Sequence, residues 1–207
     1  MESYVLPHLP PNVRNVHIAY FENVANAPEI RARLVAAATA PGAEGDAARA
    51  SVDFGFVEAS LLVSKQHLVN GVLAAVLTSL PSDRQTTLPV PPTPKTRSHN
   101  LHSEILLALS PNNNITDAIR RHGVGDATTR LVVVRYADNT LAQEEIWAMI
   151  ASVVRGTLTS LDELDNVNKP DWTRIDKLGE MNQQKVGDIM ARKIAAVENI
   201  VAIKHAT

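Results

Sequence analysis

The residues best suited to binding chemistry gather in one stretch: Arg120, Arg121 and His122, followed by Arg130 and Arg135. Guanidinium groups clustered in this way can contact phosphates, and each phosphate neutralised would add salt dependence to binding. The same residues also suit an ordinary exposed helix end, where arginine complements the dipole, and residue types alone favour that plainer reading. Just upstream, "LSPNNNITDAIRRHG" carries three consecutive asparagines. The run could grip a phosphate, accept a glycan at Asn114-Ile115-Thr116, or punctuate the chain between a strand and a helix. Asn114 suits the last role, because a short amide side chain can cap the free amides of a helix over 115–122. Asp117 would then lie in the first turn, where the dipole favours an anion, and Gly123 would close the helix.

Other candidate chemistry is sparse. His99 and His102 are the one histidine pair close enough in sequence to suggest a shared ligand set, but no third ligand with metal spacing accompanies them. Asp162, Glu163 and Asp165 could meet a cation or a basic partner; a solvated turn is the commoner fate of such a cluster. The chain has no G-x-x-x-x-G-K-[ST] phosphate loop, no strand-linked G-x-G-x-x-G and no G-x-S-x-G elbow. No catalytic residue, cofactor or metal site is therefore assigned. The absence of cysteine excludes disulfides, thiolate catalysis and cysteine-ligated zinc.

The bulk properties fit a soluble globular protein. The 207 residues are 45% hydrophobic and 20% charged, and the formal net charge of -2 predicts no global attraction to nucleic acid. The start "MESYVLPHLPP" does not read as a signal peptide, and the most apolar window, 68–80, is shorter than the roughly 20 residues a membrane span needs. The expectation is a soluble intracellular protein of one domain over 1–207, with no membrane association.

These residues need elements to position them. Val16, Ile18 and Tyr20 alternate with polar or small neighbours, which predicts an opening strand over 13–21. Pro28 suits the first turn of a helix that Pro41 and Gly42 stop. From Phe56, Leu61, Leu68, Val72, Val76 and Leu80 recur at three- and four-residue steps, predicting a central core helix in which Gly71 marks a close approach. Five prolines between 81 and 99 predict an exposed, mobile insertion; its P-x-x-P spacings are read as linker.

Beyond it, 101–110 and 130–136 both read as strands, the second buried on both faces. A helix is expected after Thr140, with Thr140 and Gln143 as its capping box. The segment 158–179 reads as turn-rich and acidic in the middle. A last long helix carries the apolar stripe Val186, Ile189, Met190, Ile194, Val197 and Val201, and one face of it needs a partner. The fold class expected is α/β: a mixed sheet flanked by helices, with a helical C-terminal portion.

"SEILLALSPNNNITDAIRRHGV", followed by "TRLVVVRY", closely resembles the small kinase-binding subunit of the KEOPS (EKC) complex, the PRPK-binding protein (TPRKB) family. Weaker similarity runs over "FENVANA", the middle helix and "TRIDKLGEMNQQKVGDIMARKI", while the insertion at 81–99 and the residues from about 199 depart from the pattern. The resemblance implies a non-enzymatic subunit that binds the PRPK-type kinase-like ATPase of the complex and meets the other subunits indirectly. That assembly makes threonylcarbamoyladenosine in tRNA, and in fungi it is linked to telomere maintenance and transcription. It also implies a role in recruiting tRNA, including its 3′ end, and residence in nucleus and cytoplasm.

Taken together, the expected kinase contact is Val186, Ile189, Met190, Ile194 and Val197. The alternative is a direct tRNA-binding module whose phosphate partners are Arg120, Arg121 and Arg130. An enzyme with an unrecognised site is the third reading, and the purified chain is expected to show no turnover.

Overall fold

A computed structural model describes residues 1–80, 95–98, 100–178 and 189–204, with the side chains of 176–178, 189 and 190 outside the description. The elements in chain order are β1 (Glu2–Val5), β2 (Asn15–Glu22), α1 (Ala27–Thr39), α2 (Gly42–Ser51), β3 (Gly55–Glu58), α3 (Lys65–Ser79), α4 (Leu101–Leu109) and α5 (Ile115–His122). They continue with β4 (Leu131–Ala137), α6 (Gln143–Val153), β5 (Thr157–Thr159), α7 (Trp172–Leu178) and α8 (Ile189–Ile203). The backbone gathers into two compact units: Met1–Glu58 with Gly123–Ser160, and the described residues of 59–122 with those of 161–204.

The first unit holds the sheet of the expected α/β architecture. β2 pairs with β4 on one side and with β1 and β5 end to end on the other, and β4 pairs with β3; every pairing is antiparallel. The register sets Phe21 opposite Leu131 and Ala19 opposite Val133. These side chains share a core with Ile30 of α1 and with Ile146, Ile150 and Val153 of α6. Their alternates Ile18, Tyr20, Val132 and Val134 are also buried, so β2 and β4 are covered on both faces, as a continuous apolar strand requires. Asn26 fastens α1 to the end of α6: its amide donates to the Val153 carbonyl and accepts from the Arg155 amide, each at 2.9 Å.

The second unit is helical. Leu68, Val72 and Val76 of α3 are buried, as are Ile105, Leu107 and Leu109 of α4. A smaller cluster of Leu61, Val63 and Ile175 is flanked by Trp172 of α7 and by Ile194 and Val197 of α8. Ser64 caps α3 by accepting the His67 amide at 2.9 Å, and its hydroxyl donates to Glu198 of α8.

Several expected elements differ. The segment 101–110 is a helix, not a strand, because Asn100 caps it through the Ser103 amide at 2.8 Å and its apolar residues are buried nearly all round. The stripe from Phe56 is broken: Phe56 and Val57 belong to β3, and the helix starts only at Lys65. Thr140 does not cap α6; its amide and hydroxyl bond Asp138, and Glu145 instead accepts the Ala142 amide at 3.1 Å. The turn-rich tail segment contains the short helix α7. α1 does stop before Pro41, but the same stretch also opens the unexpected helix α2, with Gly42 at φ +63°. The proline-rich insertion lies almost wholly outside the described residues.

Candidate functional site

α5 begins as the sequence predicts: Asn114 Oδ1 accepts the Asp117 amide at 3.1 Å. Asn112 supports the turn before it, accepting the Asn114 amide through Oδ1 at 3.1 Å and donating through Nδ2 to Asp117 at 2.9 Å. The amide that an anion would seek at Asp117 is therefore taken by Asn114, and Asp117 already supplies an anion to the first turn. This turn is built to cap.

Asp117 also holds both arginines of the helix, Arg120 at 2.5 Å and Arg121 at 2.7 Å. Its hydrogen bonds from Arg121, Asn112 and Arg120 keep its carboxyl well below the usual carboxylate range. The Arg120 side chain is 69% exposed and that of Arg121 32%, so each can turn its remaining N–H donors to a ligand while Asp117 holds it in place. Arg130 lies in the other unit and is half-buried, while Arg135 pairs with Asp53 of its own unit and lies over Phe54.

At the end of α5, His122 is buried, and desolvation, aided by Arg121 and Arg174 and opposed by Asp117, pushes its imidazole down to about 4. His67 is buried as well and lies near 3, through desolvation and then through the charge His122 would carry. Both rings are neutral structural groups at neutral pH. Arg174 of α7 reaches the Ser60 hydroxyl at 3.1 Å and the Arg121 carbonyl at 3.3 Å, tying the end of α5 to its own unit.

Four of the residues expected at the kinase contact, Ile189, Met190, Ile194 and Val197, belong to α8. Val186 lies outside the described residues, and Ile189 and Met190 open α8 with undescribed side chains. Ile194 and Val197 are half-buried against Trp172 and the Leu61, Val63 and Ile175 cluster. Ile200 and Ile203, 41% and 60% exposed, present apolar surface to solvent further along the helix. Sequence reasoning passed over these two, although the three-residue step from Val197 to Ile200 to Ile203 continues the periodicity.

Of the remaining candidates, Asp162 pairs with Lys65 Nζ at 2.9 Å and Asp165 accepts the Lys65 amide at 2.8 Å, so the acidic run steadies the start of α3. His102 is buried in α4, and His99 lies outside the described residues. Among the described residues no group of three histidine, aspartate or glutamate side chains could hold a metal ion, and no helix is long and apolar enough to cross a membrane.

An antiparallel sheet unit with flanking helices and a helical unit define a mixed α/β protein. The chain belongs to the family described as kinase binding protein CGI-121, which it matches over residues 21–205. That match reaches past residue 199, where the resemblance read from sequence stops. A relative named EKC/KEOPS complex subunit CGI121 from Cryptococcus neoformans is 46% identical over 99% of both chains. Proteins of the same name from Aspergillus terreus and Gibberella zeae are 30% and 28% identical, over 79% and 96% of this chain and 71% and 92% of theirs.

Proposed function

We propose that the chain is a non-catalytic adaptor of a KEOPS/EKC complex, docking the kinase-like ATPase subunit through α8 and so supporting threonylcarbamoyladenosine modification of tRNA. The observation that carries this reading is the exposure of Ile200 and Ile203 on a helix whose inner stripe is already engaged, in a chain of a kinase-binding family. Covering what remains exposed of each isoleucine contributes on the order of 1 kcal/mol, enough to anchor a partner when several such contacts combine. Links to telomere maintenance and transcription, and residence in nucleus and cytoplasm, belong to the same reading.

A second surface extends it. Arg120 and Arg121, on one helix end and partly open to solvent, suit contact with tRNA phosphates, a role in which the chain recruits RNA to the complex. Titrating the full chain with its purified cognate kinase-like subunit tests the first surface; a one-to-one complex is expected, and no complex would sink the adaptor role. Titration with a deacylated tRNA transcript at several salt concentrations tests the second.

A further inference from the structure

The two proposed surfaces lie in the same unit, and the asparagine turn joins them through side chains. Lys204, just past the end of α8, sends its ammonium into three carbonyls: Leu107 at 2.7 Å, Ser110 at 2.8 Å and Asn112 at 2.8 Å. These oxygens line the C-terminal end of α4 and the turn after it, where the helix dipole is negative, and they match all three ammonium donors. Asn112 carries the contact onward, donating to Asp117 at 2.9 Å while Asp117 holds Arg120 and Arg121. Asn112 thus links α8 to the paired arginines, its main-chain carbonyl bonded to Lys204 and its side-chain amide to Asp117.

We propose that kinase docking on α8 and phosphate binding at Arg120 and Arg121 are thermodynamically coupled through the Lys204–Asn112–Asp117 relay. The inference rests on the two-surface reading above. A partner that covers Ile200 and Ile203 restrains the last turn of α8, and with it Lys204, whose amide bonds the Ile200 carbonyl at 3.0 Å. Restraining Lys204 orders the Asn112 turn and, through Asp117, the two guanidinium groups. A phosphate then meets groups that are already ordered, pays less conformational entropy and binds more tightly. Coupling of binding free energies is reciprocal, so RNA must strengthen kinase docking by the same factor.

The test is a binding cycle with the full chain, the purified cognate kinase-like subunit and a deacylated tRNA transcript. RNA affinity is measured with and without saturating kinase-like subunit for the native chain, for Lys204→Met and for Asn112→Ala. Direct contacts of the kinase-like subunit with RNA contribute alike to all three, so differences report the relay. The tightening on adding that subunit is expected to be at least about fivefold greater for the native chain than for either variant. Amide exchange at Asn114 and Asp117 should slow in the native complex and not in the variants. Asn112 has an exposed side chain, so Asn112→Ala carries the test if Lys204→Met loosens α8. Equal tightening in the native chain and a folded variant overturns the relay alone. Failure of the native chain to bind either partner overturns the two-surface reading, and the relay with it.

Discussion

Gly71 of α3 faces Leu109 of α4 so closely that a Cβ added at Gly71 would stand 2.7 Å from Leu109 Cδ2 and 2.8 Å from Cγ. Alanine there gains about 1 kcal/mol of helix propensity but must push back the branch point of a buried leucine, and such overpacking costs about 1–3 kcal/mol. Gly71→Ala should therefore lower stability on balance, while Gly71→Ala in a Leu109→Ala background should raise it. Urea denaturation of the single and double variants measures the coupling; a Gly71→Ala variant more stable than the native chain would contradict the packing described.

Burial holds His67 near 3 and His122 near 4, against an ordinary value of 6.5. Below about pH 6.5 the unfolded chain takes up protons that the folded chain refuses, so this contribution to stability is full above that pH and is lost on acidification toward 4. At about pH 5 the loss should be on the order of 2 kcal/mol per histidine relative to about pH 7.5. His67→Gln should narrow the difference between the two pH values in urea denaturation. Asp117 adds little at about pH 5, because its depressed carboxyl lowers stability only where the unfolded chain's carboxylate, ordinarily at 3.8, takes up protons.

The cap at Asn114 gives the asparagine run its measurable role. Asn114→Ala removes the acceptor of the Asp117 amide and should lower stability by about 1 kcal/mol, whereas Asn114→Gly should cost only a few tenths. Equal melting temperatures for all three chains would show that the cap contributes nothing.

Reversing charge at Arg120 and Arg121 should weaken tRNA binding and reduce the salt slope by about one for each phosphate that is no longer neutralised. Arg130 belongs to the other unit, and its reversal is measured on its own. An unchanged slope after the Arg120 and Arg121 reversals would remove the RNA role from α5.

The sequence showed some of this architecture and concealed the rest for physical reasons. Alternation in β2 and the apolar run of β4 reveal strands, because both patterns follow from burial of strand faces. Asn114 reveals a helix start because few side chains can cap one. A short apolar run such as Leu101–Leu109 looks alike in a helix and a strand when every face is buried; the Asn100 cap was the signal that separates them. α2, built from "GAEGDAARAS", buries only Gly45 and so has no apolar stripe to read. In the candidate site, the arginines were visible by type, but nothing in their spacing shows that one aspartate holds both. The bond from Lys204 to the Leu107 carbonyl joins residues far apart in the chain and could only be seen once folded.

The most direct test of the central claim compares two double variants of α8 in titrations against the purified kinase-like subunit. Ile200→Glu with Ile203→Glu alters exposed positions, so the fold should persist by circular dichroism while affinity falls at least about a hundredfold, a loss of roughly 2.7 kcal/mol. Ile194→Glu with Val197→Glu should instead destabilise the unit itself, since those side chains pack inward. Native affinity in a folded Ile200→Glu, Ile203→Glu chain would contradict the account and move the kinase contact away from the end of α8.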